Sequence, residues 1–325
     1  MSLDQNHYRC VAQAILSGDV VPVLGAGANL CDRDPGEPWQ PGRTLPSGSE
    51  LADLLARQFG TSVTPANDLL RVSQAAALER GYGPVFRQLR KVFARENDNG
   101  YAPTLLQRFL AELPALRTAR DLPPCPQLIV TTNYDDLLEQ AFEDAGEAFD
   151  LVYYLAQGEA RQAGGRRAHQ GSFVHVDPDG KRTIVRNPKK YVTVTPSART
   201  VILKIHGAAR PDPSEDSWVI TEDHYIDYLT RTSLSELFPV RLLEKLLSSN
   251  LLFLGYAMKD WNLRVLLHRI WLQRDSSWES WAVQLEADEL DKKLWSDKDV
   301  NIQCVPLKTY VTELRACLQT VEVGF

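Results

Sequence analysis

Four short apolar runs, each followed at once by a polar cluster, constrain the fold of this chain more than any other feature. The runs are residues 20–24, 128–130, 201–205 and 251–254, and each is rich in Val, Ile and Leu. Such runs are typical of strands buried on both faces of a parallel sheet. Ligands bind outside the carboxyl ends of these strands. We therefore expect an α/β, Rossmann-like, mostly parallel sheet with helices on both faces, and one crevice where the four clusters meet.

The clusters combine glycines with hydroxyl, amide, imidazole and carboxylate side chains. In chain order they are Gly25-Ala26-Gly27-Ala28-Asn29, Thr131-Thr132-Asn133-Tyr134-Asp135, Lys204-Ile205-His206-Gly207, and Gly255-Tyr256 followed by Asp260 and Asn262. Each cluster also has a plain structural explanation. The glycine cluster could be an ordinary turn, and Asn133 or Asp260 could cap a helix. His206 could be a core histidine with a satisfied side chain. Taken together, the residue types match a nucleotide-sugar site.

In order and spacing, these clusters resemble the sirtuin-like NAD-consuming family, in particular its bacterial branch linked to phage defence. The resemblance covers roughly residues 15–320. One position departs from the family pattern, because Asn29 stands where serine is usual. An asparagine can still donate to a phosphate oxygen, so this departure affects the expected affinity more than the mode of binding.

The resemblance implies a role for each cluster. Residues 25–29 would lie against the NAD diphosphate, where glycines let backbone N–H groups approach closely. Asn133 would hold the nicotinamide ribose and a water molecule, and Asp135 would shape the nicotinamide pocket. His206 would be the catalytic base, since an unperturbed histidine pKa of roughly 6.5 suits that task at cellular pH. The remaining predicted contacts with the cofactor are Thr132, Gly255, Tyr256, Asp260 and Asn262.

The cysteines bear on which nucleophile accepts the ADP-ribose group. The chain has five, at positions 10, 31, 125, 304 and 317, and they form no C-x-x-C pair. True sirtuins hold their peptide substrate beside a zinc ribbon, which would require paired cysteines. Water is therefore the favoured acceptor, and we expect an NAD+ hydrolase that releases nicotinamide and ADP-ribose without a metal. A protein deacylase, an ADP-ribosyltransferase and a non-catalytic NAD or ADP-ribose sensor remain alternatives. A dehydrogenase is disfavoured because Leu30 occupies the third glycine position of the dinucleotide fingerprint.

Composition limits the partners and the compartment. The net charge of −6 gives no sign of a dedicated, sequence-specific nucleic-acid binder. No apolar run approaches the ~20 residues that a membrane helix needs. The first five residues lack the basic start and apolar core of a secretory signal. We therefore expect a cytoplasmic protein without a membrane segment.

Three segments stand out within an expected single catalytic domain of residues 1–325. Residues 49–120 have helical periodicity and predict an inserted helical module. Residues 31–48 are rich in proline and glycine and predict a loop over the strand ends. Residues 155–190 carry eight Lys and Arg residues and predict a basic hairpin turning at residues 177–180. Because uncontrolled NAD hydrolysis would poison a cell, the resemblance implies low basal activity and activation by self-assembly or by a partner such as a nucleic-acid-handling ATPase.

Overall fold

The computed structural model describes residues 5–65, 67–94, 101–157, 169–230, 233–256, 258, 261–274 and 278–322. Within these ranges the helices are α1 Gln5–Ser17, α2 Gly48–Phe59, α3 Leu69–Arg80, α4 Tyr82–Phe93, α5 Leu105–Thr118, α6 Leu137–Asp144, α7 Glu222–Leu229, α8 Leu234–Leu237, α9 Val240–Leu247, α10 Trp261–Trp271, α11 Glu289–Ser296 and α12 Leu307–Thr320. The strands are β1 Val20–Leu24, β2 Leu128–Thr131, β3 Phe149–Leu155, β4 Ser172–Val176, β5 Arg182–Val185, β6 Thr200–Lys204, β7 Gly207–Ala208, β8 Ser217–Trp218, β9 Asn250–Leu254, β10 Ser280–Gln284 and β11 Val300–Cys304.

Nine of the described strands form one sheet in the order β11-β10-β9-β1-β2-β6-β3-β4-β5. The seven strands from β11 to β3 are mutually parallel, and β4 and β5 continue the edge as an antiparallel hairpin. Strands β7 and β8 pair separately. After β1 the chain first forms the strands on one side of it, β2 to β6, and later crosses to form β9, β10 and β11 on its other side. Such a reversal of strand order is the place where α/β sheets bind ligands.

The sheet is covered on both faces because its strand residues alternate between two hydrophobic clusters. Val20 and Leu24 pack in one cluster with α1, α5, α6 and α12. Val21 and Val23 pack in the other with helices from α7 to α11. Since neighbouring strand residues point to opposite faces, a fully apolar strand needs a helical layer on each side. The expected fold class is confirmed.

Helices α2, α3 and α4 form a third hydrophobic cluster beside the sheet. A capping box between Ser47 and Glu50 begins α2. Within the predicted helical module, residues 69–93 form two helices, because Gly81 adopts a φ of +80° and ends the helical path. Helix α5 packs against α6 and α12 under the sheet rather than in this third cluster. Whether residues 49–120 form a separate module stays a prediction.

One part of the sheet's edge differs from what the sequence predicted, and another agrees with it. Strand β3 was not predicted, although it lies between β6 and the hairpin. The predicted hairpin turn is present, with the Asp177 carboxylate accepting from the backbone N–H groups of Asp179 and Lys181 at 3.1 and 2.9 Å. Because β4 pairs with β3, the hairpin extends the main sheet. Residues 158–168 of the predicted basic segment lie outside the described residues.

Candidate active site at the carboxyl edge of the sheet

The four clusters follow four adjacent strands, in the order β9, β1, β2 and β6. Leu24 at the end of β1 is in register with Leu254 of β9 and with Thr131 of β2. Thr131 is in turn in register with Lys204 of β6. Neighbouring strands lie about 4.8 Å apart. The sheet therefore brings the four clusters to one edge.

The glycine cluster after β1 interlocks with the loop after β9. Gly25 N–H donates to the Leu254 carbonyl at 3.1 Å, and Gly27 N–H donates to the Gly255 carbonyl at 2.9 Å. A Cβ on Gly27 would lie 2.7 Å from the Gly255 oxygen, closer than real side-chain carbons approach. These glycines thus have a structural cause in the approach of two backbones. Their predicted contact with a diphosphate stays a prediction.

Asn29 is the penultimate residue of the 3-10 helix Ala26–Leu30, and its buried side chain takes part in a chain of hydrogen bonds. Its amide nitrogen donates to Asp135 Oδ2 at 2.6 Å, and its oxygen accepts from Gln107 Nε2 at 2.8 Å. The Gln107 oxygen accepts from the backbone N–H of Thr104 at 2.7 Å. These bonds leave Asn29 one amide hydrogen for the predicted phosphate contact. They also join the glycine cluster to the start of α5.

Asp135 and Glu139 are buried carboxylates that share the cation Lys204. Lys204 Nζ lies 2.6 Å from Glu139 Oε1 and donates to the main-chain oxygen of Asp135. Burial raises the pKa of Asp135, while the Lys204 charge and the Asn29 hydrogen bond oppose that rise. Burial also raises the pKa of Glu139 against the same ammonium. Asp135 therefore holds the turn after β2 through its neighbours, and its predicted contact with nicotinamide stays a prediction.

Asn133 and Thr132 lie partly buried at the end of β2. Asn133 Nδ2 donates to the Gly25 carbonyl at 3.1 Å, and its backbone N–H donates to Thr131 Oγ1 at 3.0 Å. Thr132 donates from both its backbone and its hydroxyl to the Leu24 carbonyl. The Asn133 side-chain oxygen accepts no hydrogen bond from the described residues. It can therefore accept one from a ligand hydroxyl.

His206 follows β6 and is 6% exposed. Its Nδ1 lies 3.2 Å from the Tyr225 hydroxyl of α7, and the two rings meet edge to face. Among the described residues, no hydrogen bond engages its Nε2. Burial lowers the pKa of His206 to about 3, so the ordinary value expected from the sequence is wrong. The imidazole is neutral at cellular pH and has one nitrogen able to accept a proton.

The backbone path after β6 requires a glycine at position 207. Its φ is +94°, and a Cβ there would press against the Ser217 carbonyl of the paired strand β8. This glycine lets the chain leave β6 and turn immediately into β7. The turn holds His206 at the strand end.

Tyr256 and His206 both line one small cavity. The cavity measures about 10 Å³ and is also lined by Tyr225, Tyr228 and Leu266. That is roughly the room for one water molecule. A nicotinamide ring could enter only if the lining side chains moved. Residues of two clusters predicted from the sequence thus line the same cavity.

The rest of the fourth cluster is described only in part. Asp260 lies outside the described residues, as does the side chain of Asn262 near the start of α10. Arg264, one turn further, donates to the Met258 carbonyl at 2.9 Å and to Asp291 at 3.1 Å. The Arg264 guanidinium is thus engaged by groups of the protein itself.

The predicted loop over residues 31–48 is anchored to α2 by Glu50. This carboxylate accepts from Arg33 at 3.0 Å, from the Trp39 N–H at 3.1 Å and from the Ser47 N–H at 2.7 Å. Burial opposes ionisation of Glu50, but the bonds from Ser47 and Arg33 prevail and lower its pKa. An ionised Glu50 thus holds the loop at three points.

A cavity of about 500 Å³, at the end of β3, was not expected from the sequence. The rings of Tyr82, Phe86 and His224 and the carboxylates of Asp223 and Asp227 line it. It is large enough for a ligand. Its lining comes from α4, α7, Gln170 and the two residues that follow β3, Ala156 and Gln157, so no single stretch of sequence could reveal it.

The described part of the chain contains no group of three or more His, Cys, Asp or Glu side chains arranged to hold a metal ion. Across the same ranges, no helix has both the length and the apolar character needed to cross a bilayer.

Residues 127–304, more than half of the chain, match the family model described as SIR2-like domain. The match begins just before β2 and ends with β11, so it contains Asn133, His206 and Tyr256. The glycine cluster after β1 lies before it. No curated protein shows a significant match to the chain.

Proposed function

Because this chain belongs to the SIR2-like domain family, we propose that it binds NAD+ at the carboxyl edge of its sheet and hydrolyses the nicotinamide–ribose bond. The observation that carries the proposal is the pairing of Asn133 and His206 at the ends of adjacent strands. Among the residues that the structure describes, none forms a hydrogen bond with the Asn133 side-chain oxygen or with Nε2 of His206, whose imidazole is neutral at cellular pH. These are the groups needed to position a ribose and to take a proton from water.

The proposed reaction breaks the bond between ribose C1′ and the nicotinamide nitrogen. Nicotinamide departs with the bonding electron pair and becomes neutral, so the reaction needs no strong acid. The oxygen of water bonds to C1′, and one of its protons goes to His206. The products are nicotinamide, ADP-ribose and a proton.

The low pKa of His206 fits this order of events. A base with a pKa of about 3 is too weak to deprotonate ordinary water. Water becomes strongly acidic once its oxygen bonds to the electron-poor sugar carbon. Proton removal by His206 would therefore be late, and Asn133 would contribute mainly by orientation.

Three clusters would hold the rest of the substrate. The backbone at residues 25–29 and the Thr132 hydroxyl would face the diphosphate and the sugar. The loop of Gly255 and Tyr256 would lie against the adenosine half, together with Asp260 and Asn262. This assignment rests on the resemblance and on the shared sheet edge.

We further propose that the protein is a regulated effector of bacterial anti-phage defence, acting by depletion of NAD. The support is the resemblance to the defence branch of the family. We expect low turnover by the isolated chain and activation by self-assembly or by a partner such as a nucleic-acid-handling ATPase.

A second candidate function is supported by the cavity at the end of β3. Strand β3 is the neighbour of β6, and His206 lies two residues after the end of β6, so the cavity could seat an acceptor other than water. An acyl-lysine deacylase or an ADP-ribosyltransferase would need such a space. A non-catalytic NAD or ADP-ribose sensor would bind the ligand and leave NAD intact.

One experiment tests the proposal against both alternatives. Purified protein is incubated with NAD, alone and with the products of neighbouring genes, and nicotinamide and ADP-ribose are followed by chromatography. We expect both products in equal amounts. Nicotinamide without free ADP-ribose, in the presence of an acyl-lysine peptide or an acceptor protein, would favour transfer. Tight binding without either product would favour the sensor.

The roles of the two residues are tested by His206→Ala and Asn133→Ala. Each change should slow hydrolysis about 100-fold or more, the usual scale for a positioned proton-transfer group. NAD binding should survive in part, because the backbone hydrogen bonds from Gly25 and Gly27 to the loop after β9 remain in both variants. The exposed His268 of α10 provides the control, and His268→Ala should keep normal turnover. Normal hydrolysis by the His206→Ala protein would show that the assignment is wrong.

A further inference from the structure

Lys204 is a buried cation that the proposed chemistry does not use. It is the last residue of β6, two positions before His206, and only 1% of it is exposed. Its ammonium contacts the Glu139 carboxylate and the main-chain oxygen of Asp135. Burying an ammonium is costly unless its charge and its hydrogen-bond donors are satisfied. Both contacts lie in the segment that follows β2.

These contacts connect three of the four clusters. Lys204 donates to the main-chain oxygen of Asp135, in the turn that also contains Asn133. The Asp135 carboxylate accepts from Asn29 of the glycine cluster at 2.6 Å. Asn133 itself reaches the Gly25 carbonyl. A displacement of the Lys204 side chain would therefore move the turn, and with it the distance between Asn133 and His206.

We propose that Lys204 is a positioning residue of the candidate site, which fixes the turn carrying Asn133 against the strand carrying His206. This inference rests on the proposed function for its kinetic consequences. Its direct contact is with the Asp135 carbonyl, whereas the Glu139 pair neutralises the charge that this contact requires. Substitution can therefore separate the loss of the Lys204–Asp135 contact from the instability that an unpaired Glu139 carboxylate would cause.

The test compares Lys204→Met with the double variant Lys204→Met/Glu139→Met. The single variant leaves the Glu139 carboxylate buried without its cation and should melt at a lower temperature than the wild type. Replacing both partners of a buried ion pair by apolar groups of similar volume is often neutral. We therefore expect the double variant to regain most of the lost melting temperature.

Turnover should not recover with stability. In both variants we expect kcat to fall by about 10- to 100-fold, because misplacement of a positioning group by 1 Å has an effect of that order. The dissociation constant for NAD should change by less than about threefold, because the interlocked glycine loops remain. If the double variant melts like the wild type and hydrolyses NAD at the wild-type rate, Lys204 is merely structural and the inference is wrong.

Asp150→Asn is the matched control. Asp150 is a buried carboxylate near the amino end of β3, at the opposite edge of the sheet, where it pairs with His175 at 2.9 Å and Arg199 at 3.1 Å. It should lower the melting temperature without a comparable loss of kcat. An equal loss of kcat in this control would show that turnover simply follows stability, and would also overturn the inference.

A second measurement separates this inference from the proposed function. If wild-type protein releases no nicotinamide, the proposed function fails, but the turn can still be followed by amide hydrogen exchange in the ligand-free protein. Exchange over residues 132–136 should accelerate at least about tenfold in the double variant and remain unchanged in Asp150→Asn. Unchanged exchange in the double variant would refute a positioning role whether or not NAD is hydrolysed.

Discussion

At the scale of single residues, burial determines the chemistry of His206. The ring is enclosed by aromatic side chains, and its one described hydrogen bond is to the Tyr225 hydroxyl. No described carboxylate faces the ring to stabilise an imidazolium. The neutral form therefore persists to a pH of about 3. A histidine in this state can accept a proton only while a strong acid forms next to it.

This environment predicts a pH-dependent stability. Below a pH of roughly 6.5 the unfolded chain protonates this histidine, whereas the folded protein does not until the pH nears 3. The contribution to the free energy of unfolding is thus present above pH 6.5 and is lost as the pH falls. Between pH 7 and pH 5 the loss should be about 2 kcal/mol. Urea unfolding at both values, for wild type and His206→Gln, measures it.

The two variants should diverge as the pH falls. His206→Gln cannot take up this proton in the unfolded state, so its free energy of unfolding should fall less than that of the wild type. His268→Gln, at an exposed position, should behave as the wild type does. Equal pH dependence of wild type and His206→Gln would contradict the assigned pKa.

At the scale of elements, the loops after β1 and β9 form one unit. Gly255 has a φ of +67°, and a Cβ on it would lie 2.8 Å from the Gly27 Cα and closer still to the Ala28 nitrogen. Each loop therefore fixes the other. A change in either loop alters the whole edge where NAD is proposed to bind.

Gly255→Ala should be much more destabilising than Gly60→Ala. Gly60 ends α2 with a nearly equal φ of +70° but has no atom within 4 Å of the added Cβ. Gly60→Ala should therefore cost about 1 kcal/mol from backbone strain alone. Gly255→Ala adds overpacking between two backbones, about 2 kcal/mol more. Denaturant unfolding of the two variants decides the point, and equal costs would mean that the loops do not interlock.

At the scale of the whole molecule, the basic segment predicts control by assembly. A basic segment is unusual in a chain with a net charge of −6, and this one contains Arg166, Arg167, Lys189 and Lys190. Replacing all four by Glu should weaken assembly and activation. The fold should remain, because the described pair between Lys189 and Glu236 is exposed, and such pairs contribute about 1 kcal/mol or less. Arg166 and Arg167 lie outside the described residues.

Sedimentation velocity and NAD turnover at rising protein concentration measure this effect. The control reverses two exposed cations elsewhere, Arg241→Glu and Lys292→Glu, and should assemble normally. Full turnover by a dilute monomer without a partner would refute control by assembly. If only about one molecule in a hundred is competent to bind NAD before assembly, the apparent affinity for NAD is lowered by about that factor.

Metal removal is a second test at the molecular scale. The proposed leaving group requires no Lewis acid, and the described residues present no ligand cluster. Dialysis against a chelator should leave NAD turnover unchanged. Loss of activity together with release of stoichiometric zinc would overturn this expectation.

The sequence by itself determined the four strands that the polar clusters follow. Strand β1 has the predicted bounds, β2 and β9 are each one residue longer than their predicted runs, and β6 is shifted by one residue toward the N-terminus. This accuracy is possible because a run of apolar residues reports burial on both faces of a strand. The polar clusters could be recognised because each one directly follows such an apolar run. The edge of the sheet where they meet followed from the carboxyl-end rule alone.

Only the tertiary structure decided which polar atoms remain available for a ligand. Asn29 is bonded to Asp135, 106 positions away, and Glu139 is paired with Lys204 from another strand. Such contacts depend on the order of the strands in the sheet, which local periodicity does not encode. Burial lowered the pKa of His206 for the same reason, since the enclosing rings belong to α7. Sequence pattern located the site, and long-range packing set its chemistry.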